Sequence, residues 1–323
     1  MNRFDVVDWE PSTIHIDTKS VRGVANDLPA VQNQTSRLKS LLAMFIRDKS
    51  GPLYYEIEGD GAPLVFVSGW AMSCECWRPA VAMLQRKYRC LIYDNRGVAR
   101  SQPSSVDASF SIENHAEDLH NLMEATGMSD ATIAGHELGS LIAAANAARH
   151  PQDVRSLIIV SPRRGFSEDD VKQLAVFTPA SLALRELAAF PLLRNLVARR
   201  FHRAPQPYRD KLFNDFADLS PRAAYETAIS ASSDETAATL DEVVGDTASP
   251  LLIICGEKDK KGAAEARRLF SLARAGKLAT LRDCGFLPML EYRRQFAKLI
   301  EDYVSIQQAA NNRAIMRPVS EQS

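Results

Sequence analysis

A carboxylate and an imidazole stand side by side in the segment TIAGHELGS, as Glu137 and His136, framed by Gly135 and Gly139. A β-branched run precedes them and an apolar helical pattern follows, so the segment reads as a strand, a sharp turn and the start of a helix. That is the setting in which a Gly-x-Ser-x-Gly elbow presents one side chain at the top of a sheet. Here the presented group is a glutamate, which can donate, accept or share a proton. Metal and dinucleotide chemistry find no motif. Cys74, Cys76, Cys90, Cys255 and Cys284 fit neither a CxxC zinc pattern nor a disulfide framework, and no G-x-G-x-x-G follows a strand. Neither a metal nor a cofactor is expected.

The elements that must position these residues begin near Leu53. The runs LYYEIEG, PLVFVSG, CLIYDNRG, DATIAG, SLIIVSP and PLLIICG are short, rich in β-branched and aromatic residues, and each closes in turn chemistry. Helix-length segments lie between them, such as IENHAEDLHNLMEATG with Ala116, Leu119, Leu122 and Met123 mostly on one face. This alternation predicts an α/β fold with a mostly parallel, doubly wound sheet. It divides the chain into core segments over 51–162 and 248–306, with an inserted helical lid over 163–247. A leader over 1–50 is expected to be irregular and then helical around SRLKSLLAMFIR, serving as a packing arm or a homodimer contact. The tail over 307–323 is expected to be disordered.

Five blocks, in this order, resemble the α/β-hydrolase family: VSGWAMSCECW its oxyanion loop, DNRGVARS its Asp-x-Arg-Gly-x-Gly-x-Ser turn, GHELG its elbow, LLIICGEKD the strand ending in its acid, and GFLPMLEYRRQF the segment delivering its histidine. The likeness runs from about Leu53 to Val304 and implies that family's sheet and lid. Residue by residue it puts Glu137 at the nucleophile position, Asp259 at the acid and Phe286 at the histidine. Ser68 replaces the oxyanion-loop histidine, and Ala99 the second glycine of the Arg-Gly-x-Gly turn. The backbone N–H groups of Trp70 and Leu138 would be the oxyanion donors, with Ser68, Gly69, His136 and Phe286 around the pocket. His136 is expected to pack beneath the elbow, and Asp259 either to work with Glu137 or to pair with Lys258, Lys260 or Lys261. His15, His115, His120, His150 and His202 are placed by no motif.

Serine hydrolysis needs a hydroxyl activated by a base that an acid orients, and two of those groups are replaced. A glutamate against an apolar wall is expected to have a raised pKa and to act as a general acid, or to share a proton with Asp259. With backbone donors to polarise a carbonyl, such a pocket suits cyclisation (a Diels–Alder type ring closure included), isomerisation or lyase chemistry without a covalent intermediate. Fold members adapted to such reactions in natural-product biosynthesis make this the leading expectation. Two others stand beside it: a ligand-binding pseudoenzyme, and a hydrolase using Glu137 as nucleophile, with Tyr208 and Tyr225 of the lid segment read as packing residues.

Composition bounds the partners. Lys and Arg number 39 against 40 for Asp and Glu, so no field draws nucleic acid or an anionic membrane to the chain. No run approaches the length of a membrane span, no signal peptide is apparent, and an odd number of cysteines fits a reducing compartment, so the expected location is cytoplasmic. Phe177, Leu182, Leu184, Phe190 and Leu193 in the lid segment suggest a hydrophobic small-molecule substrate.

Overall fold

Along the central strand PLVFV, Leu64 and Phe66 point to one side and Val65 and Val67 to the other, all fully buried. Leu64 and Phe66 pack with Trp77, Leu84, Phe296 and Ile300, while Val65 and Val67 pack with Leu119, Leu122, Leu141 and Ile142. Successive strand residues serve opposite faces, so an apolar residue at every position requires helices on both sides of the sheet. Each such side chain contributes roughly 1.5–3 kcal/mol by leaving water.

In the computed structural model the described residues are 5–7, 44–48, 51–103, 107–166, 203–217, 219–246 and 249–315. The strands are β1 (Asp5–Val7), β2 (Met44–Asp48), β3 (Gly51–Glu58), β4 (Ala62–Val67), β5 (Tyr88–Tyr93), β6 (Ala131–His136), β7 (Val154–Val160), β8 (Leu251–Gly256) and β9 (Gly276–Leu281). They form a nine-stranded sheet in the order β1-β2-β3-β5-β4-β6-β7-β8-β9. From β5 to β9 neighbours are parallel; β1, β2 and β3 add an antiparallel edge. The helices are α1 (Arg78–Leu84), α2 (Ile112–Thr126), α3 (Leu138–Arg149), α4 (Gln206–Ala217), α5 (Pro221–Ala231), α6 (Asp234–Asp246), α7 (Lys260–Leu272), α8 (Pro288–Glu291) and α9 (Arg293–Ile315). The expected α/β class is what the chain adopts. No helix among the described residues is long and apolar enough to cross a membrane, and all five cysteines are reduced and buried.

One expectation is corrected at the edge. The amphipathic segment SRLKSLLAMFIR was expected to be helical, but its end from Met44 lies in strand β2 (Met44–Asp48), paired antiparallel with β3 from Met44 opposite Tyr55 to Asp48 opposite Gly51. An apolar run this short fits either period, and the available β3 edge decides in favour of strand. Residues 8–43 and the tail beyond 315 lie outside the described residues, as do 167–202 of the lid segment with Phe177, Leu182, Leu184, Phe190 and Leu193. Of that segment's helices, α6 packs Leu240 and Val244 into the layer that holds α3 and α7, as part of the sheet's own covering.

The chain leaves β4 for β5 on one side and then returns past it to β6 on the other. Such a reversal opens a crevice at the carboxyl ends of the two strands, where open α/β sheets place their sites. Gly69 and Trp70 follow β4 there, and Glu137 follows β6.

Candidate active site

Glu137 sits at the tip of the β6–α3 turn with φ 51° and ψ −110°. A non-glycine residue there carries strain of order 1–3 kcal/mol, which persists only if the surroundings impose it. They do: the Glu137 N–H donates to Val160 O at 2.9 Å, the Ser140 N–H to Glu137 O at 3.0 Å, and Ser140 Oγ to Gly135 O at 2.8 Å. The flanking glycines are required by close approach. A Cβ on Gly135 would overlap the Gly139 carbonyl, and one on Gly139 the Val67 carbonyl. The turn therefore presents one side chain at the crevice floor.

That side chain reaches the loop after β4. Glu137 Oε2 accepts a hydrogen bond from the Trp70 N–H at 3.0 Å, with the residue only 5% exposed. A Cβ on Gly69 would come within 2.9 Å of the same oxygen and 2.7 Å of His136 Nδ1, so this loop lies tight against both side chains. The donor expected to polarise a substrate carbonyl thus holds the glutamate instead. Leu138, the other expected donor, opens α3, where the N–H of a first-turn residue has no partner within its helix.

The loop is held from three sides. Asn95 Nδ2 donates to Ser68 O at 3.0 Å, and Asp94 Oδ1 accepts from the Cys74 N–H at 2.8 Å. Asp215 on α4 accepts from the Ser73 N–H at 3.1 Å and from its hydroxyl, and pairs with Lys211 Nζ at 3.1 Å. Burial pushes the Asp215 carboxyl above the usual carboxylate range, against the lowering effect of these partners. Trp70 Nε1 donates to Ala224 O of α5 at 3.1 Å, and its ring meets Phe166 edge-on at 5.3 Å. Ser68 Oγ turns inward to Ser73 O at 3.3 Å.

Asp259 lies at the carboxyl end of β8, as expected, but its partner is not a neighbouring lysine. Arg163 Nη2, from the segment after β7, donates to Asp259 Oδ1 at 2.7 Å, and the same oxygen caps α7 through the Gly262 N–H at 3.2 Å. Lys258 pairs with Asp283 at 3.4 Å. Asp259 Oδ2 and Arg163 Nη1 make no hydrogen bond. The Arg163 guanidinium lies 5.1 Å from the Phe286 ring centroid, in cation–π contact. The Phe286 loop is fixed by Glu291, which accepts from the Gly285 and Leu287 N–H groups at 2.7 and 3.2 Å. His136, fully buried, bonds Phe286 O through Nε2 at 3.0 Å and packs edge-on against the Phe286 ring at 4.6 Å.

Sequence reasoning missed Arg163, Asn95, Asp215 and His115. His115 Nε2 bonds Thr227 Oγ1 of α5 at 3.2 Å, and burial, with Arg96 adding to it, pushes its pKa down to about 3. Arg163 and Asn95 each follow a parallel strand at its carboxyl end, the one signal that could have raised them. Nearby, Glu56, Cys74 and Glu75 are close enough together to offer metal ligands. Two guanidinium groups already neutralise this cluster: Arg78 bonds Glu56, Glu58 and Glu75, and Arg100 bonds Asp94 and approaches Glu75 at 3.2 Å.

Comparison with known proteins agrees with this architecture. Proteins named "Putative carbamate hydrolase RutD" are 36% identical over 109 residues in Azorhizobium caulinodans (34% of this chain, 40% of that protein) and 35% over 113 residues in Variovorax paradoxus (34% and 42%). The matched stretch thus spans about two-fifths of those relatives. Among solved structures, a thermophilic esterase from Thermogutta terrifontis superposes with a TM-score of 0.67 at 17% identity, covering 82% of this chain and 94% of its own. The enol-lactonase from Burkholderia xenovorans LB400 does so with 0.66 at 21%, covering 79% and 97%. At such identities the likeness shows the fold. The family model for the alpha/beta hydrolase fold matches residues 62–290, from β4 through the Phe286 loop, and the chain belongs to that family.

Proposed function

We propose that this protein is a cofactor-independent enzyme that moves a proton on a hydrophobic carbonyl compound, in an isomerisation, ring closure or lyase-type cleavage, with Glu137 as the acid/base and no covalent intermediate. The observation that carries this reading is the buried Glu137 carboxyl on the elbow, 3.0 Å from the Trp70 N–H. A substrate carbonyl that takes this donor displaces Oε2. The displaced carboxyl, on a residue only 5% exposed, then lies beside the carbonyl whose neighbouring proton it is to remove. Desolvation of that kind strengthens the base, and the donor stabilises the oxyanion that forms. Proton return to carbon or loss of a leaving group completes the turnover. Natural-product biosynthesis in the cytoplasm is the setting we propose for such a reaction.

Hydrolysis of a carbamate or ester, which the names of the relatives and structural neighbours suggest, fits these residues less well. Phe286 offers no base, Asp259 is engaged by Arg163, and a glutamyl ester would lack a histidine to activate water against it. A binding role without catalysis is the second reading, favoured by the fact that the carboxyl is already hydrogen-bonded in the crevice.

Proton exchange tests this without identification of the physiological product. A panel of hydrophobic enolisable ketones is incubated in D2O, and loss of the α-proton signal is followed by NMR. The wild type is expected to accelerate exchange for a subset of the panel, and Glu137→Gln to lose roughly 10²–10⁴ of that rate, the worth of a positioned proton-transfer group. Exchange that survives in Glu137→Gln, or is nowhere accelerated by the wild type while the ketones bind, would remove the enzymatic reading in favour of the binding one.

A further inference from the structure

Strand β9 closes the sheet on one side: among the described residues it pairs with β8 alone. The Glu257 N–H donates to Leu281 O at 3.0 Å, so Leu281 spends its backbone groups on β8. In a parallel strand alternate residues bond to the same neighbour, and the intervening Gly276, Leu278 and Thr280 turn their N–H and C=O groups to the open side. An edge in this state is a template for one more strand.

Helix α7 packs on β8 and β9, and two observations fix how it is turned. Ala263, Ala266 and Leu269 are buried against the sheet, and Arg268 bonds Asp241 of α6 at 2.9 and 2.6 Å. At about 100° per residue the flank away from α6 carries Phe270 and Arg267, beside the open edge. Phe270 is left 41% exposed there. Three cations surround this edge: Arg267, Lys277 in β9 and Arg282 just after it, all exposed and none in an ion pair with a described residue. The nearby carboxylates are committed elsewhere, Glu265 to Arg268, Asp283 to Lys258 at 3.4 Å, and Glu257 to the Asp283 N–H at 3.0 Å. Cations on an edge oppose pairing between identical chains, because a symmetric contact brings the same charges together. They favour an extended segment that carries carboxylates.

We infer that β9 is a docking edge for an extended acidic segment of another protein, which adds to the sheet as a further strand. Its backbone pairs with Gly276, Leu278 and Thr280, an apolar side chain covers Phe270, and Asp or Glu side chains meet Arg267, Lys277 and Arg282. Backbone pairing holds such a segment, and the charges select its composition. The inference is independent of any reaction at Glu137.

Fluorescence anisotropy on the full chain at low salt tests this with three labelled peptides: Glu-Val-Asp-Val-Glu-Val-Asp, the same peptide with Lys in place of every acid, and the acidic peptide with every backbone nitrogen methylated, which cannot pair as a strand. Wild type is expected to bind the first at least roughly tenfold more tightly than either control. The double variant Arg267→Glu with Lys277→Glu is expected to lose roughly tenfold, the share of two exposed ion pairs. Binding of the acidic peptide is expected to protect the Leu278 and Thr280 amides from hydrogen exchange, a readout that needs no variant. No binding of the acidic peptide, equal binding of either control, or an unaltered affinity in a folded double variant would each overturn the docking edge. Leu278 and Thr280 amides already protected in the free chain would overturn it too, since the edge would then be covered by the chain itself or by a second copy.

Discussion

Glu137 and the Trp70 N–H form a contact that a serine side chain is too short to make, and it changes what the neighbouring residues can contribute. At the position where the resemblance expects a histidine, Phe286 is an apolar side chain; where it expects the acid, Asp259 is paired with Arg163 and ties the start of α7 to the segment after β7. Restoring side-chain types therefore does not restore a working arrangement. The double variant Glu137→Ser with Phe286→His is expected to hydrolyse p-nitrophenyl butyrate at no more than roughly 10³-fold over buffer, the level that an oxyanion site and binding sustain without an oriented base. Adding Arg163→Leu is expected to raise that rate by freeing the carboxylate to orient the new imidazole. A double variant that already turns over at the speed of an ordinary esterase would show that Asp259 still orients a base across its pairing with Arg163.

The elements that carry these residues depend on a few close approaches. Gly139 lies against the Val67 carbonyl, and no side chain at that position can move aside from backbone. Gly139→Ala is expected to destabilise the chain by about 3 kcal/mol or more in urea unfolding, a size reserved for backbone strain and core damage, and a change under ~1 kcal/mol would mean the turn relaxes. The elbow is legible in the sequence because its signal is local: two glycines at fixed spacing between a strand run and a helix run. The order of five such blocks points to the family in the same way. Other features are not legible. Arg163 meets Asp259 across 96 positions, and Asp215 meets Ser73 across 142; no periodicity encodes a pairing between side chains so far apart. Strand β2 escapes the sequence reading because MFIRD is too short to distinguish the two periods, and its structure comes from the β3 edge rather than from its own residues.

At the scale of the whole molecule, burial of ionisable groups makes stability depend on pH. His115 is fully buried, with a folded pKa of about 3 against an ordinary value near 6.5. Above pH 6.5 the group is neutral in both states and contributes nothing. As pH falls below that, the unfolded chain takes up a proton that the folded chain refuses, and stability is lost progressively down to about pH 3. Between pH 7 and pH 5 this single group is expected to cost about 2 kcal/mol. Urea unfolding of wild type and His115→Gln at both pH values isolates the contribution: the variant is expected to lose less stability on acidification than wild type by about that amount, and an identical loss in both would place the acid sensitivity elsewhere. The Arg96–Asp118 pair, with side chains 8% and 3% exposed, packs in the same region. Removing the carboxylate there is expected to cost about 3–5 kcal/mol, since the buried guanidinium would lose its paired charge, which a thermal unfolding series on Asp118→Asn would reveal.

Catalysis of the proposed kind turns on the Glu137 carboxyl holding the Trp70 N–H and yielding it to a substrate carbonyl. The chain has 3 tryptophans, so selective ¹⁵N labelling gives a backbone amide spectrum in which Trp70 is readily assigned. The Trp70 amide proton is expected to lie downfield in wild type, to shift upfield in Glu137→Ala, and to move again when a ketone that undergoes exchange saturates the site. A Trp70 amide unmoved by Glu137→Ala would show that the carboxyl does not hold this donor, and one that moves with the mutation but ignores the ketone would show that the carboxyl never yields it.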